Sequence, residues 1–250
     1  MTVSASCFIP ASTADVIPGR GGGGKDSGED VLEAGMPDDV FTGDPNEGNS
    51  EMGKVITGGT MSLDGYIAGP NESGFDLLFQ WYGNGDVEIP TASPNVPPLR
   101  LSAASAKLLK DEWGNTGALV VGRHLYDMTN AWGGRHPMDV TTVVLTHRPP
   151  QDRPVADENF VFVTEGIEAA VAKAQEIAGE KTVVVNGGQM ARQCLEAGLL
   201  DEIGIELVPV VLGGGTPLFA DLGATPAQFD GPITLVEGTG VTHIRYRVKK

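Results

Sequence analysis

Three short stretches of this chain place glycines, guanidinium groups and imidazoles directly after runs of apolar residues: "LVVGRHLYD", "VVLTHRPP" and "VVVNGGQM". In the last, Gly187 and Gly188 stand where a buried strand would give way to a helix, followed by Gln189 and Met190. Glycines at that point let backbone N–H groups come close to a bound group, and a helix N-terminus adds roughly half a positive charge, which together suit a pyrophosphate. The same pair reads equally well as a tight turn that needs a positive φ. Gly122, Arg123 and His124 follow a second strand and open a helix, while Thr146, His147 and Arg148 follow a third, where Pro149 and Pro150 stop the chain. Taken singly, an arginine after a strand is an ordinary surface residue. Four potentially cationic side chains at two strand ends of an acidic chain point instead to an anion, and a bidentate guanidinium suits a phosphomonoester. A pyrophosphate plus a further phosphate is the layout of NADPH. The G-x-G-x-x-G fingerprint is missing from the first strand–helix unit, which disfavours the common dinucleotide-binding fold.

The elements that must carry these residues can be read from periodicity. "KVIT", "GALVVG", "VTTVVLT" (140–146), "NFVFV" (159–163), "KTVVVN" (181–186) and "EIGIELVPVVLG" (202–213) are short, β-branched and almost continuously apolar, as in strands buried on both faces. Helical patterns lie between them. "SAASAKLLKDEWG" opens on a capping Ser102, "GIEAAVAKAQEIAGE" lines Ile167, Ala170, Val171, Ala174 and Ile177 along one face, and "QMARQCLEAG" closes on Gly198. Alternating strands and helices predict an α/β fold with a mostly parallel sheet. "PITLVEGTGVTHIRYRVKK" alternates around Glu237–Gly240 and predicts a C-terminal antiparallel hairpin. The stretch 71–98 shows no clear element, yet Phe75, Phe79, Trp81 and Tyr82 require part of it to pack down.

With a formal charge of −16 and a pI near 4.5, the chain would be repelled by nucleic acid and by anionic membrane surfaces. It contains no apolar run long enough to span a bilayer and no secretory start, so the cytoplasm is the expected compartment. Cys7 and Cys194 form neither a disulfide framework nor a metal-ligand spacing, and no metal is expected. Residues 1–52 read as a disordered, acidic, Gly-rich extension, because their first fifty hold two basic side chains against nine acidic ones and no apolar period. Gly19–Lys25 matches the first part of a phosphate-binding loop, but Asp26 stands where a hydroxyl is needed and no strand precedes it, so a glycine linker is the preferred reading. Residues 53–250 read as the folded domain.

Together, "MSLDGYIAGPN", "VVGRHLYD", "VVLTHRPP" and "VVVNGGQMARQCLEAGLLDEIGIELVPVVLGGGTPLF" resemble the dihydrofolate-reductase-like superfamily, specifically the reductase (C-terminal) domain of the bifunctional riboflavin-biosynthesis deaminase-reductase. The resemblance covers Lys54 to Val248. It implies a three-layer sandwich with helices on both faces of the sheet, NADPH as cofactor, and a homodimer. By similarity, Gly122, Arg123 and His124 would lie at the cofactor phosphates, Thr146 and Arg148, with His147 between them, at the 2′-phosphate, and Gly187, Gly188, Gln189 and Met190 along the pyrophosphate and ribose. Thr60 and Ile67 would border the nicotinamide, although Ile67 reads equally as core. The activity implied is NADPH-dependent reduction of a small heterocycle, pterin- or aminopyrimidine-like, as in 5-amino-6-(5-phosphoribosylamino)uracil reduction. Related folate reductases carry a carboxylate in the first long helix; the matching position here is Ala106, and Asp111 and Glu112 fall toward the wrong end of that helix. That departure argues against dihydrofolate and leaves open a second reading, an NADPH-binding sensor of the same fold without catalysis. There is also no H-x-E and P-C-x-x-C zinc deaminase half. On the substrate side the sequence offers Asp64, which reads more readily as a turn cap, and Trp81, which reads equally as core.

Overall fold

The β-branched runs become the strands of one central sheet. The computed structural model describes residues 53–151, 157–219, 222 and 226–250; the expected extension over 1–52, with Cys7 and the glycine tract, lies outside the described residues. In chain order the elements are Val55–Met61 (β1), Tyr66–Ala68 (β2), Phe75–Leu78 (α1), Val87–Ile89 (β3), Leu99–Leu101 (β4), Ala103–Asn115 (α2), Thr116–Gly122 (β5), Arg123–Met128 (α3), Thr141–Leu145 (β6), Phe160–Val163 (β7), Ile167–Ala178 (α4), Thr182–Asn186 (β8), Gln189–Glu196 (α5), Glu202–Leu207 (β9), Thr216–Pro217 (β10), Phe229–Gly238 (β11) and Val241–Val248 (β12).

Eight strands form the sheet in the order β11-β12-β9-β1-β8-β5-β6-β7. The six from β9 to β7 are mutually parallel, and β12 and β11 close one edge as the antiparallel hairpin expected from sequence. Helices α4 and α5 cover one face, burying Val55, Val120, Val143, Val183 and Val185 against Ala170, Val171, Ala174 and Cys194. On the other face α3 packs Leu125 and Tyr126 against Val121, Val144, Phe160 and Phe162, while α2 brings Ala106 and Leu109 into the aromatic cluster. Buried in this way, each large apolar side chain contributes about 1.5 to 3 kcal/mol. Ser102 caps α2 as its type suggests, its Oγ accepting from Ser105 N at 3.3 Å.

Two stretches differ from their sequence reading. Strand β9 stops at Leu207 and does not run on to 213, because Pro209 has no N–H to extend the ladder and the chain turns away through Gly213–Gly215. The stretch 71–98 is not structureless: it holds α1, a 3-10 turn over Gln80–Gly83, and β3, which pairs with β4. Phe75, Phe79, Trp81 and Tyr82 are all buried in one cluster, as the aromatic content requires.

Candidate functional site

The carboxyl ends of β8, β5, β6 and β7 open onto a single groove of about 750 Å³. Its walls include Ile67, Gly122, Arg123, His124, Thr146, His147, Arg148, Gly187, Gly188, Gln189 and Met190, so eleven of the twelve residues singled out as cofactor-binding from sequence meet in one place. Three helices start at this edge. Each has a glycine N-cap, Gly122 for α3, Gly166 for α4 and Gly188 for α5, and none of the three has a side-chain cap. Their first N–H groups are therefore left for a ligand or water.

Neighbours hold the polar side chains in place. Arg123 gives its Nε to both oxygens of Asp127 (2.8 Å each) and its Nη1 to the Arg148 carbonyl (2.8 Å), tying the β5 and β6 ends together. Thr146 Oγ1 donates to the Arg148 carbonyl (3.1 Å) and accepts from Arg148 N (3.2 Å), which fixes the turn that presents Arg148. The exposed His124 meets the Glu72 carboxylate from the loop between β2 and α1. Asn186 leaves its buried Oδ1 without a hydrogen-bond partner among the described residues.

The paired glycines have an internal explanation as well. A Cβ on Gly187 would lie 3.0 Å from Ile67 Cδ1 and 3.1 Å from Leu218 Cδ1, and Gly188 holds φ 71°, ψ −131°, a conformation that side chains rarely allow. Gly122 differs: its φ is −80°, and an added Cβ would meet only the Met190 side chain at ordinary contact distance, 3.8 to 3.9 Å.

Thr60 does not border the groove. It is buried, accepts from Trp81 Nε1 (3.3 Å), and lines a second cavity of about 300 Å³ between α2 and the sheet. The two spaces are neighbours, because Gly58 in the cavity is the strand partner of Asn186 in the groove. The cavity exists because Gly58 and Gly204, paired on β1 and β9, put no side chain beneath α2. Trp81 lines it while also packing edge-on against His243, with ring centroids 5.2 Å apart. Its polar wall is a cluster. Glu112 bonds Arg245 through Nε (3.0 Å) and Nη2, and Glu206 follows on β9. Burial, then the Glu112 charge, push the Glu206 carboxyl up to about 7 against the pull of Arg245. Burial, with Arg245 adding to it, holds His243 down at about 4, while its Nε2 and Ser105 Oγ share a 2.9 Å hydrogen bond.

Asp64 lines neither space. It accepts from Ser62 Oγ (2.6 Å), Leu212 N (3.1 Å) and Gly213 N (2.7 Å), so the first loop is pinned to the turn after β9, and the Ser62 hydroxyl leads the contacts that lower its pKa.

The sequence model of the RibD C-terminal domain family matches residues 53–242. This chain belongs to that family. A Bacillus subtilis (strain 168) relative, the uncharacterized protein YwjB, is 26% identical over 163 residues, 65% of this chain and 80% of its own length. Among solved structures, the fold is shared with a Shewanella sp. PV-4 protein named provisionally for riboflavin biosynthesis (TM-score 0.58, 24% identity, 79% of this chain and 99% of that one). It is shared too with the Thermotoga maritima diaminohydroxyphosphoribosylaminopyrimidine deaminase/5-amino-6-(5-phosphoribosylamino)uracil reductase (TM-score 0.53, 13% identity, 79% of this chain and 57% of that longer one). No helix among the described residues of this RibD C-terminal-type domain is long and apolar enough to cross a membrane.

The second cavity brings in residues that no sequence motif marks. Glu112, toward the wrong end of α2 for the folate-reductase acid, lines the cavity because the cavity sits under the C-terminal half of that helix. Glu206 and Arg245 lie inside strands and carry no motif. The available signal was alternation: in "EIGIEL", Glu202, Gly204 and Glu206 share a face opposite Ile203 and Ile205, and an acid on an inward face marks a site.

Proposed function

We propose that this chain is an NADPH-dependent reductase that transfers a hydride to a small heterocycle of the pterin or aminopyrimidine type. The observation that carries this reading is the convergence of Gly122, Arg123, Thr146, Arg148, Gly187 and Gly188 on one groove with a second cavity beside it. The groove suits the cofactor: three uncapped helix starts open onto it where an anion would sit, the Asn186 Oδ1 is an acceptor free for a ribose hydroxyl, and Arg148 has no ion pair among the described residues. When bound, NADPH supplies the hydride. Arg148 and Thr146 would hold the 2′-phosphate, the N–H groups at the start of α5 and the oriented Arg123 would hold the pyrophosphate, and Ile67 and Thr60, from the groove and the cavity respectively, would border the nicotinamide. Trp81 and α2 would flank the heterocycle in the second cavity. The pyrimidine ring of the substrate named for the Thermotoga maritima relative supports the ring type, though not the phosphoribosyl group that substrate carries. The exposed Ile233 and Leu235 on the edge strand β11 make it the edge along which two copies would pair.

Ala106, buried on α2 where related folate reductases carry an acid, favours the second reading, a sensor that binds NADPH without turning it over. Saturable NADPH binding with no oxidation across pterins, flavin precursors and aminopyrimidines is the result expected of a sensor. The cofactor assignment is tested by Arg148→Ala, which should weaken NADPH by about 1.5 to 3 kcal/mol, the scale of a charge-assisted contact, with NADH unchanged. Titration of tryptophan fluorescence reads both constants, and equal losses for the two cofactors would refute the assignment.

A further inference from the structure

Beneath α2 two carboxylates, Glu112 and Glu206, lie near one guanidinium, which among the described residues pairs with the first alone. Glu112 takes Arg245 through two of its nitrogens, and Arg245 lies over Gly204, its Nη1 2.9 Å from where a Cβ would stand. Glu206 sits two residues further along the same strand face, next to Thr60 in the β1 pairing and across from His243 in the β12 pairing. It has no ion-pair partner of its own among the described residues, and one enclosed guanidinium already taken by a carboxylate cannot neutralise a second. The other charged or titratable groups around it do not change this balance. From α2 come Asp111 and Glu112, from the turn before β3 comes Tyr82, and from β9 comes Glu202, which is paired with Lys54 of β1 at 3.0 Å. His243 is 2% exposed and neutral near pH 7, with its Nδ1 unpartnered. Glu206 accordingly keeps its proton near neutrality, consistent with the rise to about 7.

We infer that Glu206 is the catalytic acid, donating its carboxyl proton to the ring nitrogen of a phosphate-free heterocyclic imine held between Trp81 and β9. The inference rests on the reductase reading above. The reaction balances as hydride plus proton: the carbon of the C=N bond would take a hydride, one proton with two electrons, from the nicotinamide, which would thereby be oxidised, the π pair would move to nitrogen, and the nitrogen would take the Glu206 proton. Water entering the cavity returns a proton to the carboxylate. The acid comes from a strand and so replaces what Ala106 on α2 cannot supply. The same charges select against a phosphate-bearing substrate. Four carboxyl groups (Asp111, Glu112, Glu202, Glu206) border the cavity, and its two cations, Lys54 and Arg245, are both already paired.

The test uses the full chain, wild type and Glu206→Gln, with 7,8-dihydropterin as the imine probe. Carbon-13-edited infrared spectra of the ligand-free protein should show a protonated carboxyl that titrates near pH 7 and is missing from Glu206→Gln. The wild type should bind 7,8-dihydropterin and lose affinity at least tenfold between pH 6 and pH 9; Glu206→Gln, a neutral donor throughout, should bind it independently of pH. Hydride transfer to the bound probe should fall at least 100-fold in Glu206→Gln, with NADPH affinity within twofold of wild type. A wild type without the titrating band, one that ignores 7,8-dihydropterin, or a Glu206→Gln variant that transfers hydride at the wild-type rate overturns the inference. If NADPH fails to bind the wild type while the band is present, the reductase reading falls and not the assignment of the proton.

Discussion

Gly122, Gly187 and Gly188 look alike in sequence and differ in what they can tolerate. Gly188 holds φ 71°, ψ −131°, so any side chain there strains the backbone whatever binds beside it. Gly188→Ala should therefore lower stability by about 1 to 3 kcal/mol, read as a drop in the urea midpoint, and a change at this position is a poor probe of the groove. Gly122→Ala is the informative variant. Its Cβ meets only Met190 at 3.8 to 3.9 Å, so the midpoint should stay within about 0.5 kcal/mol of wild type while NADPH weakens tenfold or more. Unchanged NADPH affinity in Gly122→Ala would remove the strand-end cradle from the proposal. The residues of this groove were legible because each motif is contiguous: strand, glycine, cation and helix start follow one another in the chain. Glu112, Arg245 and Glu206 come from three elements far apart in sequence, so their meeting is a property of the fold and left no local pattern.

At the scale of elements, α2 decides whether the second cavity has a roof. Its start is fixed by Ser102, and its first turn is tied to β12 through the 2.9 Å bond between Ser105 and His243. Its end is fixed by the Glu112 pair with Arg245, whose side chains are 24% and 15% exposed. Removing the cap with Ser102→Ala should cost about 1 kcal/mol of stability. Glu112→Ala should cost more, about 3 kcal/mol, because it leaves a largely buried guanidinium without its partner. Thermal unfolding checks the order of the two losses; a Glu112→Ala loss smaller than that of Ser102→Ala would show that the pair contributes little and that Arg245 finds water instead. Helix α2 was readable from the capping serine and its apolar spacing, and the parallel strands from their β-branched runs. The end of β9 was not, since "ELVPVVLG" stays apolar past the last ladder bond: Val208, Val210 and Leu212 pack into the aromatic cluster, and the backbone meets the first loop where Leu63 N donates to the Val210 carbonyl (2.7 Å). The elements of 71–98 are too short for periodicity to register, and aromatic content alone announced that they are packed.

For the molecule as a whole, the half-buried Glu206 and the buried His136 and His243 act in opposite directions on the stability profile. Glu206 titrates at about 7 folded against 4.5 unfolded, so the folded state binds more protons between those values; its stabilisation is complete below pH 4.5 and is lost as pH rises through 7. His243 and His136 run the other way. Burial, with Arg245 adding at His243, lowers them from 6.5 to about 4 and about 3, so their stabilisation is present above pH 6.5 and is lost as pH falls through those folded values. Between 6.5 and 4.5 two histidines oppose one carboxyl, and the sum falls with acid by about 1.4 kcal/mol per pH unit. Toward pH 8 the last charging of the unfolded histidines, half protonated at pH 6.5, and the loss of the Glu206 proton nearly cancel, so stability should level off near pH 7. Urea titrations at fixed ionic strength should accordingly show an acid limb and then a plateau. Glu206→Gln should steepen the acid limb to about 2.7 kcal/mol per pH unit and add a rise of roughly 0.8 kcal/mol between pH 6.5 and 8, since the only opposing group of the three has gone. A Glu206→Gln profile that keeps the wild-type acid slope would mean that the Glu206 carboxyl is already ionised at neutrality in the folded protein.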